Sequence, residues 1–281
     1  LQFASKSTKQ EEMKETFLVT GASSGFGLLL ANKLHKNGYN VIGTSRNAEK
    51  YAGKSPFKMI ALDLNSAQSI NTFPERIFKE TRQLDILINN AGFLVSGIAE
   101  ETPIELGRQQ LETNFWGTVK VTNAILPYFR KQRSGKIITV GSIIGLVSFP
   151  NAAYYAASKH ALEGYFKSLR YELNEFNISV AMVEPSAFKT GILDNSSSTL
   201  TKIEDYNTLR KKIEKFTDAL AEQAGDPAIV TEKVLKVIQK DKPKFRNIVG
   251  KGTTTLINLQ HFAYGILEKG VRKKLNSFNI G

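Results

Sequence analysis

Short apolar runs alternate along the chain with longer stretches in which apolar residues recur at helical spacing. Thr16 to Thr20 reads as a buried strand, a glycine-rich turn follows, and Leu28 to Asn37 carries helical spacing that stops at Gly38. The unit then repeats. Asn40 to Ser45 and Lys58 to Leu62 are predicted strands, Ser66 to Gln83 a helix and Asp85 to Ile88 a strand. Helices follow from Pro103 to Arg133, then strand Lys136 to Val140, helix Tyr155 to Phe176 and strand Ser179 to Val183. Strands alternating with helices at this period predict an α/β fold, a doubly wound parallel sheet with helices on both faces, uninterrupted by a domain boundary.

The ends of the chain read differently. Residues 1–12 are polar and aperiodic and are expected to form a loose extension, so the predicted single domain spans 13–281. After Pro185 the pattern loosens, and residues 186–225 are expected to form a substrate-binding loop or lid. A helical run, Pro227 to Gln239, and a last strand, Lys244 to Val249, come next. The apolar, helix-like tail, residues 254–281, is the expected cap over a substrate cavity or a partner.

With 281 residues and 41% apolar content, the chain can bury a sizeable core. No apolar run reaches the roughly 20 residues of a membrane span, and the polar start lacks a secretory signal's apolar stretch. The expectation is therefore a cytoplasmic protein. The absence of cysteine excludes disulfides, thiolate metal sites and cysteine nucleophiles. A net charge of +12 brings nucleic acid and anionic membranes into view, but the charge is scattered. The densest clusters, Arg210 to Lys212 and Arg272 to Lys274, lie beside helical spacing and read as solvated helix faces, so neither nucleic acid nor membrane is the expected partner.

Thr20-Gly21-Ala22-Ser23-Ser24-Gly25-Phe26-Gly27 sits between the first strand and the first helix. Glycines there let the backbone turn tightly and approach a pyrophosphate at a helix N-terminus. Tyr155 and Lys159, four apart on a helix, share one face and can reach one ligand. Tyr155 stands thirteen residues after Ser142 and four before Lys159. Tyr154, its neighbour, has Ser158 four residues on and is excluded by that spacing.

The spacing T-G-x-x-x-G-x-G, together with Asn89-Asn90-Ala91-Gly92, Asn114-Phe115-Trp116-Gly117, and Ser142 with Tyr155-x-x-x-Lys159, resembles the short-chain dehydrogenase/reductase family over residues 16–190. The resemblance implies a single-domain Rossmann-type fold that needs no metal. It implies that Gly21, Ser23, Ser24, Gly25, Phe26 and Gly27 hold the pyrophosphate. Asp63 and Leu64 would flank the adenine, and Asn90, Ala91 and Gly92 would line the adenosine side. The alternative for Asp63, weaker than the adenine role, is a helix N-cap. By the same resemblance Tyr155 is the acid and base, Lys159 also binds the nicotinamide ribose, Ser142 orients the substrate oxygen and Asn114 anchors a proton-relaying water. Pro185 to Thr190 is similar to the family's carboxamide-binding P-G-x-x-x-T, with Ser186 in place of the second residue, glycine.

An acidic residue at the end of the second strand would accept the ribose hydroxyl of NAD. Ser45 stands there instead, followed by Arg46, whose planar donors suit a phosphate, so the expected cofactor is NADP(H). The reading is an oxidoreductase that interconverts a carbonyl and an alcohol, as a homodimer or homotetramer built on the long helices. Val140-Gly141-Ser142, Arg46 and the extended C-terminal part look most like the hydroxysteroid and retinol dehydrogenase branch. Ile144, Leu146, Val147, Phe149, Phe188 and Ile192 agree with a bulky apolar substrate, or with core or interface. A cofactor-binding regulator without turnover is the alternative, although such a protein would be free to lose Tyr155 or Lys159.

Overall fold

The computed structural model describes residues 14–190, 197–198 and 202–279. Seven parallel strands form one sheet: β1 Thr16–Val19, β2 Asn40–Ser45, β3 Lys58–Ala61, β4 Ile86–Asn89, β5 Gly135–Val140, β6 Ile178–Pro185 and β7 Arg246–Val249. Their order is 3-2-1-4-5-6-7. The chain thus winds outward from β1 to one edge, then crosses back and fills the other. The winding reverses between β1 and β4, and a crevice opens there at the carboxyl ends of the strands, where folds of this kind bind ligands.

Among the described residues there are ten α-helices: α1 Gly25–Lys36, α2 Ala67–Asn71, α3 Phe73–Glu80, α4 Ile104–Leu111, α5 Thr118–Gln132, α6 Ala153–Glu172, α7 Asn207–Glu222, α8 Ala228–Ile238, α9 Thr253–Phe262 and α10 Tyr264–Asn276. Successive strand residues point to opposite faces, which explains the two buried layers. Phe17, Ile88, Ile138 and Ala181 meet Leu30 and Leu34 of α1 and Val234 of α8 on one face. Leu18, Leu87, Ile137 and Val180 meet Ile77 of α3, Phe129 of α5 and Phe166 of α6 on the other. The register carries this pattern across the sheet, with Phe17 beside Val41 and Ile86, and Ile138 beside Ile88 and Ala181. Burying each such side chain contributes about 1.5–3 kcal/mol.

Several expected helices are divided. The run Ser66 to Gln83 is α2 and α3, parted at Thr72, with Pro74 in the first turn of α3 where its missing N–H costs nothing. Pro103 to Arg133 is α4, a π-helical turn Glu112–Gly117, and α5, which ends at the left-handed Arg133. The 186–225 stretch holds α7, a sixteen-residue helix. Residues 1–13, 191–196, 199–201 and 280–281, and with them Ile192, the whole expected extension and parts of the expected lid and cap, lie outside the described residues.

Arg210 is not part of a solvated face. Its guanidinium turns inward to pair with Glu101, and Ile203 N–H donates to the same carboxylate at 2.8 Å. Glu101 is buried, so an unpaired charge there would be costly, and this draws Arg210 in. α9 and α10 lie over the segment after β5, joining Ile257 and Leu267 to Ile143 and Val147 in a third apolar cluster. Val147 and Phe188 are buried core residues.

Candidate active site

The glycine-rich turn after β1 is shaped by close approaches. Gly21 and Gly25 have φ of +67° and +53°, the left-handed region that favours glycine. A Cβ on Gly27 would fall 2.2 Å from the Gly21 carbonyl oxygen and 2.4 Å from Asn90 Nδ2. Thr20 Oγ1 accepts from the Asn90 and Ala91 N–H groups at 2.9 and 3.1 Å, and Asn90 Nδ2 donates to the Thr20 and Gly21 carbonyls at 3.0 and 3.2 Å. Asn90 therefore spends its side chain clamping the turn. Ser24, at the N-cap of α1, makes no side-chain cap, and the first turn holds no acidic residue. The α1 N–H groups are left for an anion, and a Cβ on Gly25 would have only Thr190, at 3.9 Å, within reach. This cradle fits a dinucleotide pyrophosphate. Ser23 lies half-buried in the turn and Phe26 packs edge-on to Phe188, ring centroids 6.1 Å apart.

At the end of β2, Ser45 Oγ accepts the Asn47 N–H at 3.3 Å, and Arg46 is exposed. Asp63 does not cap a helix: Ser66 caps α2 by accepting from Ser69 N–H, while Asp63 Oδ1 accepts from Asn65 N–H at 3.0 Å. Leu64 is buried against Gly117, which closes the wall below.

Ser142, Tyr155, Lys159 and Asn114 gather beside the β5 end of the crevice. Ser142 Oγ accepts the Ile144 N–H at 3.2 Å, and its hydroxyl lies close enough to the Tyr155 phenol to favour the phenolate. Lys159 Nζ donates to the Val140 carbonyl at 3.1 Å and lies 5.6 Å from the Tyr155 ring centroid. Burial pushes the phenol up to about 12, with Ser142 pulling the other way. Burial also brings Lys159 down to about 8, against the opposing charge of Glu163. Desolvation thus outranks any pull of the nearby Lys159 ammonium toward the phenolate, and near neutral pH the phenol keeps its proton. Asn114 sits in the π-helical turn, a feature frequent at functional sites, and is buried rather than solvent-facing. Its Oδ1 accepts the Phe93 N–H at 3.0 Å, and its Nδ2 donates to the Phe93 carbonyl at 2.9 Å and to Ser158 Oγ at 3.3 Å. Gly92 lets this amide come near, since a Cβ there would lie 3.1 Å from Asn114 Oδ1. Tyr154 turns away and lays its ring on Gly107 of α4.

The short chain dehydrogenase family profile matches residues 15–201. The chain belongs to the short-chain dehydrogenase family. Relatives of this short-chain dehydrogenase include an uncharacterized oxidoreductase, YusZ, of Bacillus subtilis, 39% identical over 94% of this chain and 99% of the relative. Another is the 3-ketodihydrosphingosine reductase of Bacteroides thetaiotaomicron, 38% identical over 84% of this chain and 88% of the relative. A short-chain dehydrogenase of Streptomyces avermitilis shares the fold with a TM-score of 0.79 and 28% identity, over 95% of this chain and all of that one. Solved structures of this fold include complexes with NAD and with NADP.

In this short-chain dehydrogenase, Ser186 is accommodated by a glycine elsewhere. Its Oγ lies 2.0 Å from where a Cβ on Gly250 would stand, and its N–H donates to the Val249 carbonyl at 2.9 Å, so Ser186 stays tied to β7 where β6 ends at Pro185. The sequence reading missed three charged groups behind Lys159. Glu163 and Glu184 are buried, and Arg246 on β7 pairs with both, at 2.9 and 3.5 Å. The signals were a Glu one turn after Lys159 and a charge inside the apolar run of β6. Among the described residues no helix is long and apolar enough to cross a membrane.

Proposed function

We propose that the protein is an NADP(H)-dependent reductase of bulky, lipid-like ketones, running equally as an alcohol dehydrogenase, with Tyr155 as its acid and base. The observation that carries this is the convergence of Tyr155, Ser142 and Lys159 at one end of a crevice whose other end is the uncapped, glycine-lined start of α1. Bound nicotinamide supplies the hydride. The Tyr155 hydroxyl gives its proton to the carbonyl oxygen, and Ser142 Oγ holds that oxygen in reach. Lys159 supplies positive charge beside the phenol and binds the ribose. Asn114 holds the 93–95 segment and anchors the water that returns a proton. Arg46 and Ser45 hold the 2′-phosphate, and Thr190 contacts the carboxamide. The long-chain ketone named in the Bacteroides relative, and the apolar cluster of Ile143, Leu146 and Leu256 beside Ser142, support the substrate class.

The test is NADPH oxidation across ketones that include long-chain amino ketones, steroids and retinoids. Tyr155→Phe should bind NADPH and lose about 100- to 10,000-fold in turnover, whereas Tyr154→Phe should change little. Undiminished turnover in Tyr155→Phe defeats the mechanism. Trp116 and Tyr171, exposed at 48% and 73%, support a homodimer or homotetramer assembled through the α4–α6 side. Sedimentation should find that assembly in the parent and its weakening in Tyr171→Glu.

A further inference from the structure

Glu163 lies one helical turn beyond Lys159 on α6, and Arg246 holds its carboxyl beside that of Glu184 from β6, at 2.9 and 3.5 Å. Glu184 is fully buried, and Oε1 of each residue receives no donor among the described residues. Two buried carboxylates facing each other cannot both ionise cheaply, and a single proton between them satisfies both orphaned oxygens. The pair is fixed from every side. Arg246 donates to Glu163 Oε2 at 2.9 Å, the Asn247 N–H donates to Glu184 Oε2 at 2.8 Å, and Gly141 leaves room, its would-be Cβ lying 3.6 Å from Glu163 Oε1.

Lys159 is seated just beyond, on the carbonyl of Val140. We propose that Glu163 and Glu184 share one proton and act together as positioning residues for Lys159, holding its ammonium charged against the Val140 carbonyl. The charged groups facing the pair are Lys159 and His160 from α6 and Arg246 from β7. Burial works against the Lys159 charge, and Glu163 is the group that opposes it. As pH rises, the shared proton leaves, and the second negative charge then strengthens the hold on Lys159. The assignment of Lys159 to catalysis rests on the function proposed above.

The decisive measurement is an NMR titration of Lys159 in cofactor-free protein labelled at lysine, in the parent and in Glu163→Gln, Glu184→Gln and Glu163→Asp. In Glu163→Gln the midpoint should fall below about 8, because the nearest negative charge is gone. In Glu184→Gln it should not fall, since Glu163 then carries its charge alone, and Glu163→Asp should stay near the parent. An unchanged midpoint in Glu163→Gln, or an equal fall in both glutamine variants, overturns the proposal.

Should Glu163→Gln fail to fold, chemical denaturation of Glu184→Gln decides. Glu184 is raised from 4.5 to about 8, so the folded parent binds a proton that the unfolded chain has released, and this contribution to stability fades as pH climbs through that window. Glu184→Gln should lack that decline, and an identical slope in the two proteins overturns the shared proton. If Lys159 shifts as expected but no carbonyl is reduced by any form, the pair stands and the reductase reading falls.

Discussion

The two flanks of the crevice are held by different physics. On the nucleotide flank the shape comes from missing atoms: Gly21 and Gly27 let β1, the turn and the Asn90 segment approach to distances that no side chain would permit. On the substrate flank the shape comes from charges brought together over long stretches of chain, Glu101 with Arg210 and Glu163 and Glu184 with Arg246. Steric exclusion is local and tolerates no substitute, whereas a charged tether can be lost without moving the backbone of the sheet. The first flank should therefore fail by losing its ligand, the second by losing its order.

The hardest test of that contrast is Gly27→Ala. The added methyl would overlap two polar atoms, one of them backbone, and overpacking of this kind costs about 1–3 kcal/mol or more. NADPH affinity should drop by at least about tenfold per 1.4 kcal/mol, together with the melting temperature. Unchanged calorimetric binding would show that the turn can relax. Arg46→Ala comes next. It removes a charge-assisted contact worth roughly 1.5–3 kcal/mol, so the NADP(H) dissociation constant should rise by about one to two orders of magnitude while that of NAD(H) barely moves. Equal losses for both cofactors, or a parent that prefers NAD(H), would remove the phosphate role.

The smallest effect on the cofactor is expected from Arg210→Ala. It releases the Glu101 tether, so amide exchange in α7 should quicken while NADPH binding stays within about twofold of the parent. If cofactor affinity fell as far as in Gly27→Ala, the two flanks would be one mechanical unit and the contrast would collapse.

The same contrast explains what could be read in advance. The winding of the sheet was legible because the continuous apolar runs of β1 and β4, set between helical stretches, record a sheet buried on both faces, and the turn was legible because glycine spacing records backbone approach. Boundaries were not: the gap at Thr72 and the π turn at Glu112–Gly117 leave no mark in apolar spacing, because apolar residues keep facing the core through both. α7 was passed over because only two of its residues, Ile213 and Phe216, are buried, too few to stand out from a polar stretch. Asn90 and Asp63 show the limit of reading roles from position, since what each donates to or accepts from depends on groups brought near only by folding. Arg210 looked like ordinary surface charge, and Arg246 carried no reading of its own, because their acidic partners lie far away in sequence.

The position of Arg246 on the last strand has a consequence for how the molecule is made. Until β7 docks, β6 is the exposed edge of a growing parallel sheet, and such an edge invites pairing with any extended chain. At ribosomal rates of roughly 5–20 residues per second, that interval lasts several seconds. Glu184, next to the last residue of β6, lies on this temporary border before its guanidinium partner has been synthesised. A carboxyl on that open edge is the kind of group that discourages pairing with other chains, and arrival of β7 brings the guanidinium that seats it in the interior.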